Sequence, residues 1–363
     1  MRTELTFSPT WAVPPGRTLS DLLAAKNISC DQLATSIELS RDDLDELLGG
    51  TAQLTEHVAH RLDGVFGTGA SFWMRREEQY REQLKGLRAG VDVTHTKYTQ
   101  WLKDLPFADM VRFGWLEAGE STADKLATCL SFFDVPNLDV WNRNYDEVKE
   151  AVAFRISAAH AASMPATAAW LRQGERESAR LECAPWNPEA FSASLAAVRS
   201  LTRTKAPEIF IKELQTLCAA AGVAVAIVRA PSGCRASGAT FFSSPDKAVL
   251  LLSFRFLTDD QFWFSFFHEA GHLLLHRNAD SLILETSEDV TSKQEVEANE
   301  FATDTLLPPE FGRRLPEVAS DFKAIMRLAR DADIAPGIVV GQLQHRGLVR
   351  QHHFNNLKVR YNW

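Results

Sequence analysis

The stretch QFWFSFFHEAGHLLLHR, Gln261–Arg277, contains the pattern HExxH at His268, Glu269 and His272. Residues four apart lie on one face of a helix, so both histidines can offer an imidazole to a single metal ion. The apolar flanks and the absence of proline predict a helix that is buried on most sides. Burying two histidines and a carboxylate is unfavourable unless they are paired. We therefore predict one zinc ion per chain at this helix; the alternative is a core helix that carries the pattern by chance.

The composition is that of an ordinary globular protein. The 363 residues allow two or three domains, and 45% of them are hydrophobic and 24% charged. No stretch approaches the roughly 18 apolar residues of a membrane span, and the first residues lack the apolar run of a signal peptide. The 5 cysteines are scattered without a CxxC pair, which predicts reduced thiols and a cytoplasmic protein. The net charge of −8 argues against a general nucleic-acid binder.

Short helices are predicted near the start of the chain. Ser29 and Ser40 can each cap a helix, and Gly49 and Gly50 close the second of these. Helices separated by three or four residues in this order suggest a helix-turn-helix. The stretch Leu19–Trp73, with its LLGGTAQLT and GTGASFW segments, resembles the Xre-type helix-turn-helix of HigA-like antitoxins. This resemblance implies a helix-turn-helix domain over residues 1–90.

The helix expected to act as the recognition helix, Ser40–Leu48, is acidic. Arg41 stands there among Asp42, Asp43, Asp45 and Glu46. DNA binding needs cations to replace the counterions of the phosphates, and this helix offers few. Three interpretations therefore stay open: a dimerisation or protein-docking module, a DNA-binding module, and a solvated face without a partner.

Helical patterns continue through a predicted connector, residues 91–204. Its large aromatic residues are expected to form core contacts: Trp101, Phe107, Phe113, Trp115, Phe132 and Phe133. His160 lies in an alanine-rich helix, where we expect a structural role. No catalytic pattern is recognised in this connector.

Strand patterns precede the HExxH helix. Gly222–Arg229 and Ala248–Phe256 are rich in β-branched and apolar residues, and Gly238–Phe242 is a candidate short strand. In metallopeptidases of this plan, a strand beside the zinc helix often binds the substrate as an added strand. Ala248–Phe256 is the candidate for that edge, although its apolar run is equally consistent with a buried central strand.

A catalytic zinc site with two histidines needs a third protein ligand and leaves the fourth position to water. The segment QEVEANEFAT, Gln294–Thr303, supplies three candidates in a helical stretch: Glu295, Glu297 and Glu300. HEAGHLLLH followed by EVEANEFATDTLLPP resembles the ImmA/IrrE family of zinc metallopeptidases, whose E-x-x-A-N/D-x-F-A motif follows the HExxH helix. The resemblance implies Glu295 as the third ligand.

The same resemblance extends over Lys205–Val349, which also contains IAPGIVVGQLQH, and implies a zincin-like domain over residues 205–363. Asn299 lies one helical turn beyond Glu295, where it is placed to orient a ligand histidine. Glu297 projects about 200° around the helix from Glu295, so both cannot ligate one ion. Together the patterns predict a mostly helical α+β protein. Its expected parts are an N-terminal helix-turn-helix bundle, a helical connector and a C-terminal zincin-like domain with a small β-sheet.

The expected chemistry is hydrolysis of a peptide bond. Glu269 should act as general base on a water molecule and then pass the proton to the leaving amine. His276 and His345 are candidate donors to the oxyanion, and His276 also has a purely structural interpretation. His352 and His353 are expected at the surface.

Two functions compete. The first is a zinc endopeptidase; the resemblance implies limited cleavage of a transcriptional repressor or antitoxin in a response to stress or mobile DNA. The second is a DNA- or toxin-binding regulator whose zinc site is structural or vestigial. The expected partners are a protein substrate and a second copy of the chain. Binding to DNA stays possible but is weakened by the acidic helix, and no membrane association is expected. Glu269 favours the enzyme, because a structural zinc has no use for a base.

Overall fold

The protein is mostly helical with one small sheet, which confirms the predicted α+β class. The computed structural model describes residues 14–26, 28–50, 52–90, 96–119, 121–145, 163–276, 283–286 and 293–361. Two compact units divide the chain, residues 1–103 with 114–144 and residues 104–113 with 145–363. No helix in the described part of the chain is long and apolar enough to cross a membrane.

The first unit is built from helices. In chain order they are α1 (Pro15–Lys26), α2 (Cys30–Ile37), α3 (Arg41–Leu48), α4 (Glu56–Phe66), α5 (Ala70–Gly90), α6 (Thr96–Asp104), α8 (Thr122–Phe132) and α9 (Leu138–Asn144). The predicted caps are confirmed, because the side chains of Ser29 and Ser40 accept backbone N–H groups in the first turns of α2 and α3. Leucines of α1 to α4 pack with Phe66 and Trp73 in a buried core.

The aromatic residues of the predicted connector differ in how deeply they are buried. Trp101, Phe132 and Phe133 are buried in the first unit, as expected of core residues. Trp115 is half-buried and stacks on Phe132. Phe107 and Phe113 are half-buried in and directly after helix α7 (Phe107–Arg112), which belongs to the second unit. His160 lies outside the described residues.

The second unit surrounds a four-stranded sheet with helices. After α7 it continues with α10 (Met164–Ala179), α11 (Pro188–Leu201), α12 (Pro207–Ala219), β1 (Val223–Ile227), β2 (Ala236–Ser244), β3 (Lys247–Leu252), α13 (Asp259–Leu275), β4 (Ile283–Thr286), α14 (Lys293–Leu306), α15 (Pro309–Gly312), α16 (Leu315–Val318), α17 (Phe322–Asp331), α18 (Pro336–His345) and the 3₁₀-helix Asn355–Leu357. The predicted strands correspond to β1, β2 and β3. The short edge strand β4 was not predicted.

The sheet order is β1–β3–β2–β4. β3 runs parallel to β1 and antiparallel to β2, so Leu250 pairs with Val225 on one side and Thr240 on the other. The candidate substrate edge Ala248–Phe256 is therefore wrong, because both edges of β3 are already hydrogen-bonded. Its run of buried apolar residues, Ala248–Leu252, is that of a central strand. Within the part of the chain that the structure describes, β4 is the outermost strand on the side of β2.

Helix α13 is the centre of the core beside this sheet. It contains the HExxH pattern and extends over most of the predicted helix. Trp263, Phe266 and Phe267 are fully buried and pack in one hydrophobic cluster with the sheet residues Val225 and Leu250. Aromatic side chains of this size supply a large share of the burial energy, about 25 cal/mol per Å² of apolar surface. The helix is therefore held rigidly, which fixes the side chains that it carries.

The first turn of α13 contains two buried acids. Asp259 is 0% and Asp260 5% exposed. Lys358 donates from Nζ to Asp260 at 2.6 Å and to Gln344 at 2.7 Å, which binds the segment after α18 to the beginning of α13. Burial and the neighbouring Asp260 raise the pKa of Asp259 to about 7. This cluster was not predicted from the sequence.

Two glycines let α18 approach these acids closely. A Cβ at Gly337 would collide with the carboxylate of Asp259, and one at Gly341 would lie 2.9 Å from the carboxylate of Asp260. The glycines therefore allow the helix backbone to lie against both acidic side chains. The beginning of α13 is consequently enclosed by α18 and by the segment that contains Lys358.

Candidate metal centre

His268 and His272 lie side by side in the second half of α13. Their Nε2 atoms are 3.0 Å apart, and each residue is 1% exposed. The spacing of four residues places both on one face of the helix. Because the aromatic core fixes the helix, the two imidazoles have a defined direction. They meet on the side where α14 crosses.

Helix α14 brings a carboxylate to the two histidines. The Oε2 atom of Glu295 is 3.2 Å from Nε2 of His268, and its Oε1 atom is 3.5 Å from Nε2 of His272. The close crossing depends on Gly271, where a Cβ would lie 3.3 Å from the Cα of Ala298. This glycine therefore lets the backbone of α14 lie close to α13. Glu295 itself is 4% exposed.

The hydrogen bonds of the histidines indicate where their lone pairs point. Nδ1 of His268 is 3.0 Å from Oδ1 of Asn299, as expected of a residue that orients a ligand histidine. An amide oxygen only accepts, so Nδ1 carries the proton and Nε2 keeps a lone pair. The lone pair of His268 therefore faces Nε2 of His272 and the carboxylate of Glu295. Such a meeting of acceptors in a buried space calls for a cation.

The distances fit a tetrahedral ion. Zinc binds histidine nitrogen and carboxylate oxygen at about 2.0–2.2 Å, which places the ligand atoms of a tetrahedron roughly 3.3–3.5 Å apart. The three separations here are 3.0, 3.2 and 3.5 Å. Among the described residues, His268, His272 and Glu295 form the group whose ligand atoms converge in this way. The donor set thus suits a metal ion.

The charge states also suit a metal ion. Burial alone would raise the pKa of Glu295, but its hydrogen bonds with His268 and His272 outweigh burial, so the pKa lies below its usual range. Burial lowers the pKa of His272 despite the nearby carboxylate. At neutral pH the group therefore contains a carboxylate and an imidazole in the forms that bind metal.

Glu269 lies next to this group, against strand β2. It is 0% exposed, and a Cβ at Gly238 would collide with its carboxylate. Successive residues of a helix are about 100° apart, so Glu269 lies to one side of the face that carries His268 and His272, and it cannot be a third ligand on that face. The glycine in β2 leaves the space that the carboxylate occupies.

His276, a candidate oxyanion donor, lies on the opposite side of His272 from the converging atoms. Its Nδ1 is 3.0 Å from Nδ1 of His272, and its Nε2 is 2.9 Å from Oε2 of Glu297. Both ring nitrogens thus face protein side chains. Glu297 contacts His276 and is not a member of the group formed by His268, His272 and Glu295. This agrees with the prediction that Glu295 and Glu297 cannot bind the same ion. The His276–Glu297 contact itself was not predicted.

His345, the other candidate donor, is not brought to the group. It is exposed at the last residue of α18. The adjacent Gln344 accepts a hydrogen bond from Lys358, which also donates to Asp260 in the first turn of α13. His268 follows Asp260 by eight residues, which is about 12 Å along a helix. His352 and His353 are exposed, as predicted.

Comparison with known families supports the interpretation of this region. Residues 222–333 match the family model described as the IrrE N-terminal-like domain of the M78 peptidases. This part of the chain is similar to a metallopeptidase family. The matched region contains β1 to β4, α13 and α14, and therefore all three members of the metal group. The comparison with curated proteins gives no significant match.

Proposed function

We propose that this chain is a zinc-dependent endopeptidase that makes limited cuts in a regulatory protein, a transcriptional repressor or an antitoxin. The proposal rests on the convergence of His268, His272 and Glu295 next to the buried Glu269. Three protein ligands leave one position for water or substrate, as in catalytic zinc sites, whereas structural sites are closed by four. The similarity of residues 222–333 to metallopeptidases supports the same conclusion.

The side chains have separate tasks in this mechanism. Zinc held by the three ligands would supply a Lewis acid that polarises the peptide carbonyl and makes water more acidic. Glu269 takes one proton from the attacking water as the new C–O bond forms. It then passes this proton to the leaving amine as the C–N bond breaks. Asn299 holds His268 in the orientation that directs Nε2 toward the group.

The substrate is proposed to add to the sheet as an extra strand at β4. This strand forms the edge of the sheet beside β2, whose Gly238 lies against Glu269. Backbone hydrogen bonds to an edge strand bind extended peptides without requiring one sequence. The edge strand β4 thus takes the role that the sequence analysis gave to β3.

The N-terminal helices are proposed to dock a protein or a second copy of the chain in preference to DNA. Arg41 is the basic residue of α3, and its guanidinium already pairs with Asp31 at 2.7 Å and with Asp45 at 3.2 Å. A guanidinium held by two carboxylates is poorly placed to neutralise a phosphate. The four acidic residues of the same helix would repel DNA.

The test begins with elemental analysis of the full chain. We expect about one zinc per chain in the wild type and in Glu269→Gln, and its loss in Glu295→Ala. Proteins that co-purify with Glu269→Gln from the native cells are then incubated with each variant. We expect wild type to cut one of them and Glu269→Gln to leave it intact, as shown by mass spectrometry of the products.

Two outcomes would count against the peptidase. Wild type that binds no zinc after re-addition would remove the metal site. A partner cut equally by wild type, Glu269→Gln and Glu295→Ala would show that another activity is responsible. Tight, salt-sensitive DNA binding together with wild-type function of Glu269→Gln would instead favour the DNA-binding regulator.

A further inference from the structure

His276 and Glu297 extend the metal group by two more side chains. His276 directly follows the last residue of the HExxH helix, and its backbone N–H donates to the carbonyl oxygen of His272. Its side chain is 5% exposed and is held between His272 and Glu297 by contacts of 3.0 and 2.9 Å. A histidine buried with both nitrogens directed at partners has a fixed orientation. The role of this arrangement depends on which ring nitrogens of the two histidines carry protons.

The protons along this chain of contacts have one consistent arrangement. A neutral imidazole has one N–H and one lone pair. If Nε2 of His272 offers its lone pair to an ion, its proton is on Nδ1 and is donated to Nδ1 of His276. His276 must then accept at Nδ1 and carry its own proton on Nε2. That proton is donated to Glu297, which only accepts.

We propose that His276 and Glu297 are positioning residues for His272, which they hold with its Nε2 lone pair directed at the metal. The carboxylate of Glu297 fixes the tautomer of His276, and His276 in turn fixes the tautomer and the ring orientation of His272. Carboxylate partners of ligand histidines act in this way in metal sites, and they also make the imidazole a stronger ligand. Here an additional imidazole lies between the carboxylate and the ligand. This inference rests on the proposed metal site but not on peptidase activity.

The two proposed ligand histidines therefore differ in the side chains that orient them. His268 contacts the neutral amide of Asn299, whereas His272 contacts a chain that ends in a negative charge. Glu297 is 39% exposed and also pairs with Lys293 at 3.4 Å, so its charge is partly screened by water. We therefore expect the loss of His276 to have a larger effect than the loss of the charge on Glu297.

A purely structural pair would have different consequences. If His276 and Glu297 only joined α13 to α14, their replacement would change the melting temperature but leave the metal affinity of the folded protein unchanged. A positioning role predicts weaker metal binding at unchanged fold. It also predicts partial recovery when an acceptor is returned to the position of Nδ1, which His276→Asn provides.

The experiment measures the zinc dissociation constant of the full chain by competition with a chromophoric chelator. We expect His276→Leu to bind zinc about 10–100-fold more weakly than wild type. His276→Asn should lie between the two, and Glu297→Gln should lose up to about tenfold. Glu300→Gln makes the same substitution at an exposed position of α14 and should leave the affinity unchanged. Cobalt-substituted His276→Leu should show a shifted visible absorption band, because the ligand ring has moved.

The outcomes separate the two proposals. Wild-type affinity and cobalt spectrum in both His276→Leu and Glu297→Gln would overturn the positioning role while leaving the metal site intact. An equal loss in Glu297→Gln and Glu300→Gln would assign the effect to net charge and would also overturn it. No zinc or cobalt binding in wild type would remove the metal site itself. Circular dichroism of the metal-free proteins verifies folding, and if His276→Leu does not fold, Glu297→Gln against Glu300→Gln decides.

Discussion

The two ends of α13 both bury ionisable groups, but they balance charge in different ways. At the first turn, the buried Asp259 and Asp260 lie beside Lys358, so the protein supplies the cation. In the second half, two imidazoles and the carboxylate of Glu295 converge, and this set contains no cation of its own. The first cluster thus has a cation from the protein itself. The second becomes complete when it binds one.

This difference shows that burial alone does not mark a functional site. Asp259 is as fully buried as Glu269, and its pKa is raised to about 7. Perturbed carboxyl groups of this kind are often sought as catalytic residues. Here the distinguishing property is whether the neighbouring side chains complete the charge balance. The following experiments test the contrast, in order of decreasing expected effect.

Lys358→Met should have the largest effect on stability. The substitution leaves Asp259 and Asp260 buried without their cation, and breaking such a pair costs about 3–5 kcal/mol. We expect a loss of this size in the free energy of unfolding, measured by denaturant titration, with zinc stoichiometry unchanged in the protein that remains folded. Lys323→Met removes an exposed lysine of α17 and serves as the matched control. A loss below about 1 kcal/mol would mean that the first cluster does not depend on its lysine.

Zinc should stabilise the wild type and not a variant that lacks the third ligand. A ligand at 1,000 times its dissociation constant adds about 4 kcal/mol to the stability of the folded state. We expect the melting temperature of wild type to fall when a chelator removes zinc and to recover when zinc is restored. Glu295→Gln should show little of this response, whereas Glu300→Gln should behave as wild type. A chelator effect of equal size in Glu295→Gln would contradict the proposed ligand set.

Asp259→Asn should change how stability depends on pH. Because the pKa of Asp259 is raised to about 7 in the folded protein, the folded state holds a proton that the unfolded state releases near pH 4. The stability linked to this proton is present below about pH 4 and is lost as the pH rises through about 7.

Relative to Asp259→Asn, wild type should therefore lose roughly 2–4 kcal/mol of unfolding free energy between pH 4 and pH 8. The comparison of the two proteins at each pH cancels the titration of the groups that do not interact with Asp259. Chemical unfolding at a series of pH values measures it. Parallel curves for the two proteins would show that Asp259 does not titrate in this range.

Asn299→Ala should weaken zinc binding about 10–100-fold, because His268 loses the acceptor that fixes its tautomer. The dissociation constant measured by chelator competition tests this. Gln294→Ala, at an exposed position of the same helix, should leave the affinity unchanged. Equal affinities in wild type and Asn299→Ala would show that the rest of the core is sufficient to orient His268.

The convergence of His268, His272 and Glu295 could be predicted from the sequence because its geometry is largely local. His268 and His272 are four residues apart on one helix, and Glu295 and Asn299 are four apart on another, so helical periodicity places each pair on one face. Family resemblance then selected Glu295 from three glutamates. The crossing of the two helices at Gly271 brings the pairs together, and only the three-dimensional structure shows it.

Other contacts depend on tertiary packing and could not be predicted in this way. His276 meets Glu297 because α13 and α14 cross at one particular angle, which periodicity within each helix does not specify. β4 contains only four residues, too few for a clear alternating pattern. The apolar run of β3 fits a central strand and an edge strand equally, so its place in the sheet required the strand order.

The pairing of Asp260 with Lys358 also has a consequence for protein synthesis. The two residues are separated by 98 positions in the chain. At about 5–20 residues per second, a ribosome needs roughly 5–20 seconds after Asp260 to reach Lys358. During that interval α13 has its aromatic residues and its two acids but not the cation that balances them. Until the segment that contains Lys358 has been synthesised, burial of Asp259 and Asp260 in the first turn of this helix is unfavourable.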